Sequence, residues 1–469
     1  MLRVHAAIVP SRAIIAVMKT RTPLALQPDR FFRNLRRAWL RFGLLWLAGL
    51  GTGAAAVLFA RLADAAFEGF RHARDWGAWV PFVLSPAVGA GVVWATRRWS
   101  AGAEGSGIPQ VIAALDAPTA ATAARLLDWR VLLGKIGLGC AALLGGFSAG
   151  REGPSVQVGA AVAWKVLQLR GAAGGGVSMA AMRHFVAAGG AAGVAAAFNA
   201  PLAGVVFAIE ELARSFEHRT NGATIAAVIL AGVVALGFQG NYVYFGRITA
   251  GDPGLEMLLP VAVAAVLCGA AGGGFSWLLL HSARWMPARL LALRLERPVW
   301  FAAGCGLALA LLGLAAGGSV FGSGYHEARA LLAGEPGAGW IYAPAKLLAN
   351  LVSFLSGIPG GLFAPSLAVG AGIGAKLSAL FPGLGPGALG ALCMVAFLAA
   401  VTQSPMTAFV IVMEMIDNHG MVLSLMAAAA LATAVSRLFC PPLYPALARR
   451  YAEQAAVAEP ARRDAPVGA

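Results

Sequence analysis

Long stretches without a charged residue alternate with short polar segments along most of the chain. Nine of these stretches reach or approach the roughly 20 apolar residues that a helix needs to cross the hydrocarbon of a bilayer. One of them, 377–413, is 37 residues long and has room for two segments. The pattern predicts an all-α, polytopic membrane protein. The stretches without Asp, Glu, Lys or Arg are 42–60, 76–96, 184–209, 220–246, 257–283, 298–326, 347–375, 377–413 and 418–436.

Two further uncharged pieces, 136–150 and 153–164, are too short to span a bilayer alone. We expect them to form partly spanning or re-entrant helices. Such helices are tolerated at membrane depth only where protein or a water-filled cavity surrounds their ends. They are the first indication of a transport pathway.

The composition narrows the class further. Of the 469 residues, 59% are hydrophobic and 12% are charged, about half the charged share of a typical soluble domain. The mean hydropathy is +0.73. A disordered protein would be polar and highly charged, and a soluble enzyme of this length would need more polar residues to cover its surface. The composition therefore excludes a disordered protein and disfavours a soluble enzyme.

Lys and Arg outnumber Asp and Glu by 36 to 21, and the surplus is concentrated at the two ends of the chain. Residues 1–41 hold nine basic residues and a single acid, Asp29, and four arginines lie between 449 and 463. Basic flanks of membrane segments are typically cytoplasmic. We therefore predict that both termini lie in the cytoplasm, and we do not expect a nucleic-acid partner.

These features divide the chain into three predicted parts. Pro10 and Arg12 interrupt any apolar region near the start, which argues against a secretory signal peptide. Translation from Met1 and translation from Met18 both remain open. The predicted parts are a basic cytoplasmic segment at 1–40, a transmembrane domain at 41–448 and a short cytoplasmic tail at 449–469.

Chemistry other than transport finds no support in the sequence. The five cysteines are scattered singly through apolar segments without a CxxC pair, and we interpret them as packing residues. Tyr325-His326-Glu327 lacks the second His of a zinc-protease motif, and neither a Walker A motif nor a GxSxG elbow occurs. We expect no enzymatic activity, no metal and no cofactor.

The chain contains an internal repeat. With an offset of 211, segment 154–160 aligns with 365–371 and Lys135 aligns with Lys346. Two weakly similar membrane halves are typical of transporters built from repeats, and the halves lie roughly at 41–245 and 255–445. The alignment leaves open whether they are parallel or inverted. The other coinciding pairs are Lys165 with Lys376, and, at an offset of 204, Pro201 with Pro405 and Glu210 with Glu414.

Three motifs place glycines, then a proline, before an apolar segment: GSGIP at 105–109, GREGP at 150–154 and GGLFAP at 360–365. Proline is favoured in the first turn of a helix, so each motif predicts a helix N-terminus with unpaired N–H groups and a partial positive charge. Several such ends that converge inside a membrane form an anion site. The alternative is that they are ordinary helix-starting turns.

Chloride or a similar small anion fits this chemistry. A full positive charge would hold the ion too tightly for turnover, whereas partial charges and hydroxyl groups replace hydration and still permit release. Ser106 supplies such a hydroxyl within the first motif.

Glu152 lies in the second motif, between two apolar segments. A carboxylate at membrane depth costs at least ~2.5 kcal/mol unless it is paired, neutralised or exposed to water. Because it is negative, it can compete with a bound anion for the same N–H groups, and protonation would release it. Glu152 is therefore a candidate gate and proton acceptor. The alternative is a partner for the helix dipole or for Arg151.

Three other acids and one tyrosine stand at the ends of apolar stretches. Glu210 and Glu211 form either a cytoplasmic helix end or a second proton station near the inner side. For Glu414 we favour a structural role. Tyr444 is either part of an aromatic belt at the membrane interface or a hydroxyl donor to an anion.

With these motifs, the chain resembles the CLC family of chloride channels and chloride/proton antiporters. The resemblance covers roughly residues 35–448. It rests on the three motifs, on AAFNAPLAG at 196–204 and on Tyr444. It implies a homodimer with one anion pathway per subunit in a bacterial inner membrane, each subunit built from two inverted halves of tilted and partly spanning helices. Segment 405–436, with parts of 190–240, would contribute to the dimer interface.

The resemblance also implies roles for particular residues. Ser106 and Tyr444 match the side chains that coordinate the central anion. The amides of Leu362 and Phe363 match those that complete the site, with Gly107 and Ile108 close by. Glu152 matches the external gating glutamate, Glu211 the internal proton-transfer glutamate and Glu210 its neighbour.

Two features depart from the family pattern. Gln110 stands where bacterial relatives commonly carry an acid, so the partner of Lys135 is undetermined. Only 25 residues follow Tyr444, too few for the paired regulatory domains of many eukaryotic members, and we expect the compact bacterial type.

Within the resemblance, an antiporter is favoured over a passive chloride channel. Channel members generally lack a protonatable residue at the position of Glu211, and Tyr444 is retained. A fluoride exporter is disfavoured because that branch tends to alter the first two motifs and the tyrosine. The implied mechanism exchanges chloride for protons, with Glu152 as the gate.

Overall fold

The computed structural model describes residues 28–172, 177–213, 221–240, 243–248, 254–335 and 339–457. The contacts divide the chain into two units, Met1–Leu44 and Leu45–Ala469, and all the pathway residues discussed below lie in the second. Apart from two isolated bridges, the described residues form helices and loops.

The described residues of the first half form nine α-helices and one π-helical turn. The first two glycine–proline motifs, 105–109 and 150–154, contain the first residues of α3 and α6, as predicted. The elements are α1 (Pro28–Arg74), α2 (Val80–Trp99), α3 (Ile108–Leu115), α4 (Ala120–Leu126), α5 (Trp129–Leu144), α6 (Glu152–Ala172), α7 (Met179–Phe198), α8 (Pro201–Phe207), the π-turn (Ala208–Ala213) and α9 (Asn221–Gln239).

The second half begins with a short 3₁₀ turn at Leu255–Met257. The third motif lies at the start of α16, as its proline predicts. The helices are α10 (Leu258–Leu280), α11 (Ser282–Trp285), α12 (Ala288–Glu296), α13 (Pro298–Ala315), α14 (Tyr325–Leu332), α15 (Tyr342–Leu355), α16 (Phe363–Leu377), α17 (Pro386–Thr402), α18 (Pro405–Ile416), α19 (Val422–Arg437) and α20 (Leu443–Val457).

Fewer helices are long enough to cross a bilayer than the uncharged stretches suggested. Among the described residues, four helices combine sufficient length with apolar composition: Gly43–Arg74, Val80–Trp99, Leu255–Leu280 and Pro298–Ala315. Other stretches divide into two shorter helices, because a proline or a glycine-rich turn interrupts them. Stretch 377–413 holds α17 and α18, as its length predicted.

One short piece forms a longer helix than expected. Piece 153–164 continues through Lys165 to the end of α6, a helix of 21 residues. The lysine is accommodated because its ammonium group lies 3.1 Å from Asp128 Oδ1, where both side chains are more than one third exposed. A charged residue therefore did not end the helix, since it has a partner and access to solvent.

The two halves meet at equivalent residues. Gly150 donates its amide hydrogen to Gly361 O at 2.8 Å, and Gly361 donates in return to Gly150 O at 2.7 Å. These glycines are 211 positions apart, the offset of the repeat. Mutual bonding of equivalent residues is what a two-fold relation between the halves produces.

A buried lysine braces the same turn in each half. Lys135 donates to Ala103 O at 2.6 Å and Gly105 O at 2.9 Å, while Lys346 donates to Val320 O at 2.9 Å and Gly322 O at 2.8 Å. Both lysines are fully buried. The structure thus identifies the partners of Lys135 as backbone carbonyls, which the sequence did not reveal.

Each braced turn has the sequence Gly-Ser-Gly and precedes an eight-residue helix, α3 or α14. All four glycines have positive φ, +64° and +98° in the first turn (105–107) and +64° and +80° in the second (322–324). Side-chain-bearing residues rarely adopt these angles, which explains why both copies retain glycine.

Candidate ion pathway

Two buried hydroxyl groups meet near the middle of the protein. Ser106 is 1% exposed and Tyr444 is fully buried, and their hydroxyls lie side by side. Neither Ser106 Oγ nor Tyr444 Oη forms a well-aligned hydrogen bond with a residue that the structure describes. Buried polar groups normally have such a partner, so this pair is suited to donate to a ligand.

Three helix starts surround this pair. A methyl group on Gly153, in the first turn of α6, would lie 2.5 Å from Ser106 Oγ and 3.3 Å from the Cα of Gly361. Leu362 is the N-cap of α16, and the ring of Phe363 lies 6.0 Å from that of Tyr444. The glycines are therefore required for close approach, and the structure brings together the predicted anion-binding residues.

Ile108 and Gly107 occupy the start of α3, next to Ser106. Ile108 is fully buried. The amide hydrogen of Gly107 is already engaged, because it donates to Gln110 Oε1 at 3.1 Å. Gln110 Nε2 in turn donates to Glu104 O, a bond that a carboxylate at this position could not form. Gly107 thus shapes the turn, and Gln110 braces it.

Glu152 is the first residue of α6 and is 1% exposed. A methyl group on Gly150 would collide with Glu152 Oε2 and would also lie 3.0 Å from Pro365 Cδ. The carboxylate therefore lies where the starts of α6 and α16 meet. N–H groups and helix dipoles at this point favour a negative charge.

Arg151, the alternative partner predicted for Glu152, bonds to other groups. Arg151 Nη1 lies 2.6 Å from Asp64 Oδ1 and donates to Ala60 O at 2.8 Å. Tyr244 Oη donates to the Glu152 carboxylate, 3.4 Å from Oε1, and the backbone amides of Glu152 and Ala364 also approach it. Oε2 has no partner among the residues described.

Glu152 lines a cavity of about 450 Å³ that Ser106 does not reach. We call it the Glu152 cavity. Charged and aromatic residues line it, including Arg61, Asp64, Arg151, Tyr244, Tyr325 and His326. Asp64 and His326 are well exposed, so the cavity is open to solvent.

Glu211 lies on a second branch. It is 5% exposed, and Ser404 Oγ donates to its Oε2. A narrow gap lies between Glu211 and Tyr444, and both apolar and hydroxyl side chains line it, among them Phe363 and Thr407. The gap has no room for a water molecule. Glu211 belongs to the π-turn, a feature that often marks a functional site.

Glu210 and Glu414 each cap the start of a helix in the other half. Glu210 accepts amide hydrogens from Met406 at 3.1 Å and Thr407 at 2.6 Å, in the first turn of α18. Glu414, its equivalent in the repeat, accepts from the amides of residues 202 and 203 at 3.1 and 2.7 Å, in the first turn of α8. This geometry agrees with the structural role expected for Glu414 and supports the same role for Glu210.

The structure decides one alternative that the sequence left open. Tyr444 is fully buried, whereas belt residues face lipid and headgroups. The belt interpretation is therefore wrong. The position beside Ser106 instead gives the Tyr444 hydroxyl a role at the anion site.

Sequence reasoning missed three features. Tyr244 and Ser404 contact the two glutamates, but neither belongs to a motif. The second Gly-Ser-Gly turn, 322–324, was visible as a repeated tripeptide with an offset of 217.

Within the described part of the chain, His, Cys, Asp and Glu form no group of three or more suited to a metal ion.

Comparison with known proteins agrees with this architecture. The family profile described as Voltage gated chloride channel matches residues 88–437. The H(+)/Cl(-) exchange transporter ClcA of Klebsiella pneumoniae subsp. pneumoniae is 32% identical over 400 residues, which cover 82% of each chain. The protein of the same name from Citrobacter koseri is 32% identical over 399 residues, covering 80% of each chain.

A solved slow cyanobacterial Cl⁻/H⁺ antiporter superposes with a TM-score of 0.75 at 24% identity, covering 88% of this chain and 98% of that one. This likeness confirms the predicted all-α, polytopic fold. The family match over three quarters of the sequence, together with the 32% identity to ClcA, shows that the chain belongs to the CLC family of membrane proteins.

Proposed function

We propose that the protein is a secondary active transporter that exchanges chloride for protons across a cell membrane. The observation that carries the proposal is the pair of buried hydroxyls of Ser106 and Tyr444 where three helix starts meet, with a glutamate nearby; neither hydroxyl forms a well-aligned hydrogen bond with a described residue. Relatives at 32% identity bear the name H(+)/Cl(-) exchange transporter, which supports the same pair of ions.

Chloride binds between Ser106 Oγ and Tyr444 Oη. The amides at the start of α16, from Leu362 and Phe363, complete its shell, and Gly107 and Ile108 shape the wall on the side of α3. Hydroxyls and helix-end amides carry partial charges only, so they replace hydration without trapping the ion. Ser106 can approach this point because Gly153 has no side chain.

Glu152 acts as gate and proton acceptor. In its ionised form the carboxylate occupies the meeting point of α6 and α16 and excludes an anion from it. Protonation removes the attraction to the helix ends, and the side chain then moves into the Glu152 cavity. Anion passage and proton uptake at one carboxylate are therefore mutually dependent.

Glu211 passes protons to and from the opposite side. The gap between Glu211 and Tyr444 has no room for a water molecule, and both apolar and hydroxyl side chains line it, which suits a proton route separate from the anion's exit. Since the gap has no space for water, proton transfer requires transient widening or hydration. Glu210 stays outside this route because both of its oxygens accept backbone N–H groups.

All these residues belong to one chain. A homodimer with one complete pathway per subunit follows if the exposed apolar surfaces of α9 and α19 pair, since both carry well-exposed large side chains such as Ile229 and Leu423. The basic ends of the sequence favour a membrane location with both termini in the cytoplasm.

The test uses purified protein in liposomes loaded with chloride, with external pH recorded. For the exchanger, an imposed chloride gradient drives protons uphill. Glu152→Gln and Glu211→Gln should each abolish proton movement while chloride still flows, and the exposed Glu256→Gln is the matched control. Passive chloride flux without proton movement in the unaltered protein would establish a channel instead.

The anion site has its own test. Crystals grown in bromide should show an anomalous peak between Ser106 and Tyr444. A peak elsewhere, with none beside these two hydroxyls, would overturn the assignment of the site.

A further inference from the structure

Tyr244 lies after α9, at the end of the first half, and its side chain reaches the gating glutamate. Its hydroxyl is 3.4 Å from Glu152 Oε1, although the two residues are 92 positions apart. Tyr244 is 4% exposed and lines the Glu152 cavity. It therefore covers the carboxylate on the side towards which that carboxylate must move to open.

The backbone around Tyr244 is fixed by the end of α18. Phe245 donates its amide hydrogen to Met415 O at 2.9 Å, and Ile248 donates to Ile416 O at 3.2 Å. The carbonyl of Tyr244 accepts from Tyr325 Oη at 2.9 Å. These bonds come from the second half, so the position of the Tyr244 side chain is set by a different half from the one that carries Glu152.

The ring of Tyr244 is also enclosed. Its centroid lies 4.8 Å from that of Tyr325 and 5.0 Å from that of Phe245, both near edge-on, and 6.4 Å from that of Phe198. A ring held in this way cannot swing aside easily, and its hydroxyl remains directed at the carboxylate.

We propose that Tyr244 is a positioning residue for the gate, whose hydroxyl holds ionised Glu152 in the blocking position. The inference rests on the proposed function of Glu152. A hydroxyl donor binds an ionised carboxylate more strongly than it binds the protonated acid. Tyr244 thus raises the proton concentration that opening requires, and it makes release depend on protonation.

Other charged and titratable groups face the same space and set the background against which Tyr244 acts. Arg151 pairs with Asp64 at 2.6 Å, and Glu68 pairs with Arg71 at 2.8 Å. A Tyr244→Phe substitution leaves all of these in place. The charged and titratable side chains around the cavity are Arg61, Asp64 and Glu68 of α1, Arg151 before α6, and Tyr325 and His326 of α14.

The experiment measures chloride flux against pH in proteoliposomes for the unaltered protein and for Tyr244→Phe. Without the Tyr244 hydroxyl, Glu152 should become protonated at a lower proton concentration. The pH of half-maximal flux should rise by about 0.5 to 1 unit, which is a three- to tenfold change in proton concentration for one weak hydrogen bond. Proton coupling should persist, because Glu152 itself is retained.

Two controls separate positioning from packing. Tyr342→Phe removes a different buried hydroxyl, which, unlike that of Tyr244, has no partner among the described residues, and it should leave the profile unchanged. In a Glu152→Gln background, Tyr244→Phe should have no further effect, since no carboxylate remains to be held. A profile for Tyr244→Phe that coincides with that of Tyr342→Phe, or an equal change in the Glu152→Gln background, overturns the proposal.

Failure of the proposed function gives a different signature: Glu152→Gln alone would then keep proton coupling. If Tyr244→Phe does not fold, Tyr325→Phe provides the test, because it removes the bond that fixes the Tyr244 carbonyl. A smaller shift in the same direction, again absent with Glu152→Gln, supports the proposal, and an unchanged profile opposes it.

Discussion

Replacement of Gly153 by alanine tests whether close approach of the helix ends builds the anion site. The added methyl group would lie 2.5 Å from Ser106 Oγ, about 0.9 Å short of the 3.4 Å at which ordinary contact begins. It would also lie 3.1 Å from Ser106 O and 3.3 Å from Gly361 Cα. Relief therefore requires Ser106 to retreat or α6 and α16 to separate.

A displacement of about 1 Å at a reacting or binding group costs on the order of 100-fold in enzymes. We expect Gly153→Ala to weaken chloride binding by about 10- to 100-fold, or roughly 1.4 to 2.7 kcal/mol. Isothermal titration calorimetry on purified protein measures the affinity directly. Flux in liposomes should fall in parallel.

The matched control is Gly137→Ala in α5, where an added methyl group meets no atom within 4 Å. It should leave chloride affinity unchanged, and alanine's higher helix propensity should stabilise the helix by up to about 1 kcal/mol. Unaltered affinity in Gly153→Ala, or an equal loss in both variants, would refute the argument from close approach.

Two further substitutions test the long-range polar contacts. Glu414→Gln removes one hydrogen-bond acceptor and the negative charge from the first turn of α8. We therefore expect the free energy of unfolding to fall by about 1–2 kcal/mol and the apparent melting temperature to fall by a few degrees. The exposed Glu256→Gln should leave both unchanged. Lys346→Met leaves the carbonyls of Val320 and Gly322 without their donor, at about 1–3 kcal/mol each, so its fall in thermal unfolding temperature should exceed that of Glu414→Gln. A larger effect from Glu256→Gln, or an unchanged Lys346→Met, would contradict these assignments.

Local patterns were sufficient for much of the fold and part of the site. Helix starts were predicted at the three glycine–proline motifs, because proline and glycine act on the backbone of their own turn. The repeat predicted that Lys135 and Lys346 are equivalent, and both are buried and bonded to backbone carbonyls. The length of the uncharged stretches was less reliable for counting spanning helices, since it does not reveal helix breaks such as the one between α7 and α8, before Pro201.

Contacts between distant segments were beyond the reach of these patterns. Tyr244 meets Glu152 across 92 positions, and Glu210 caps a helix start 196 positions away. Neither contact leaves a local signature, since each depends on how the halves pack. For the same reason the local pattern left two roles open for Tyr444, and its burial in the structure excluded the aromatic belt.

The sequence by itself determined that this is a helical membrane protein with two similar halves, and which residue types begin its helices. These follow from apolar length, rare charges and the conformational limits of glycine and proline, all of which act over a few residues. Only the tertiary structure decided which carboxylate lies at the helix ends, which one caps a neighbour, and which hydroxyls lack a partner. Hydrogen-bond satisfaction depends on atoms brought together from the whole chain, so it is settled only when the halves have packed.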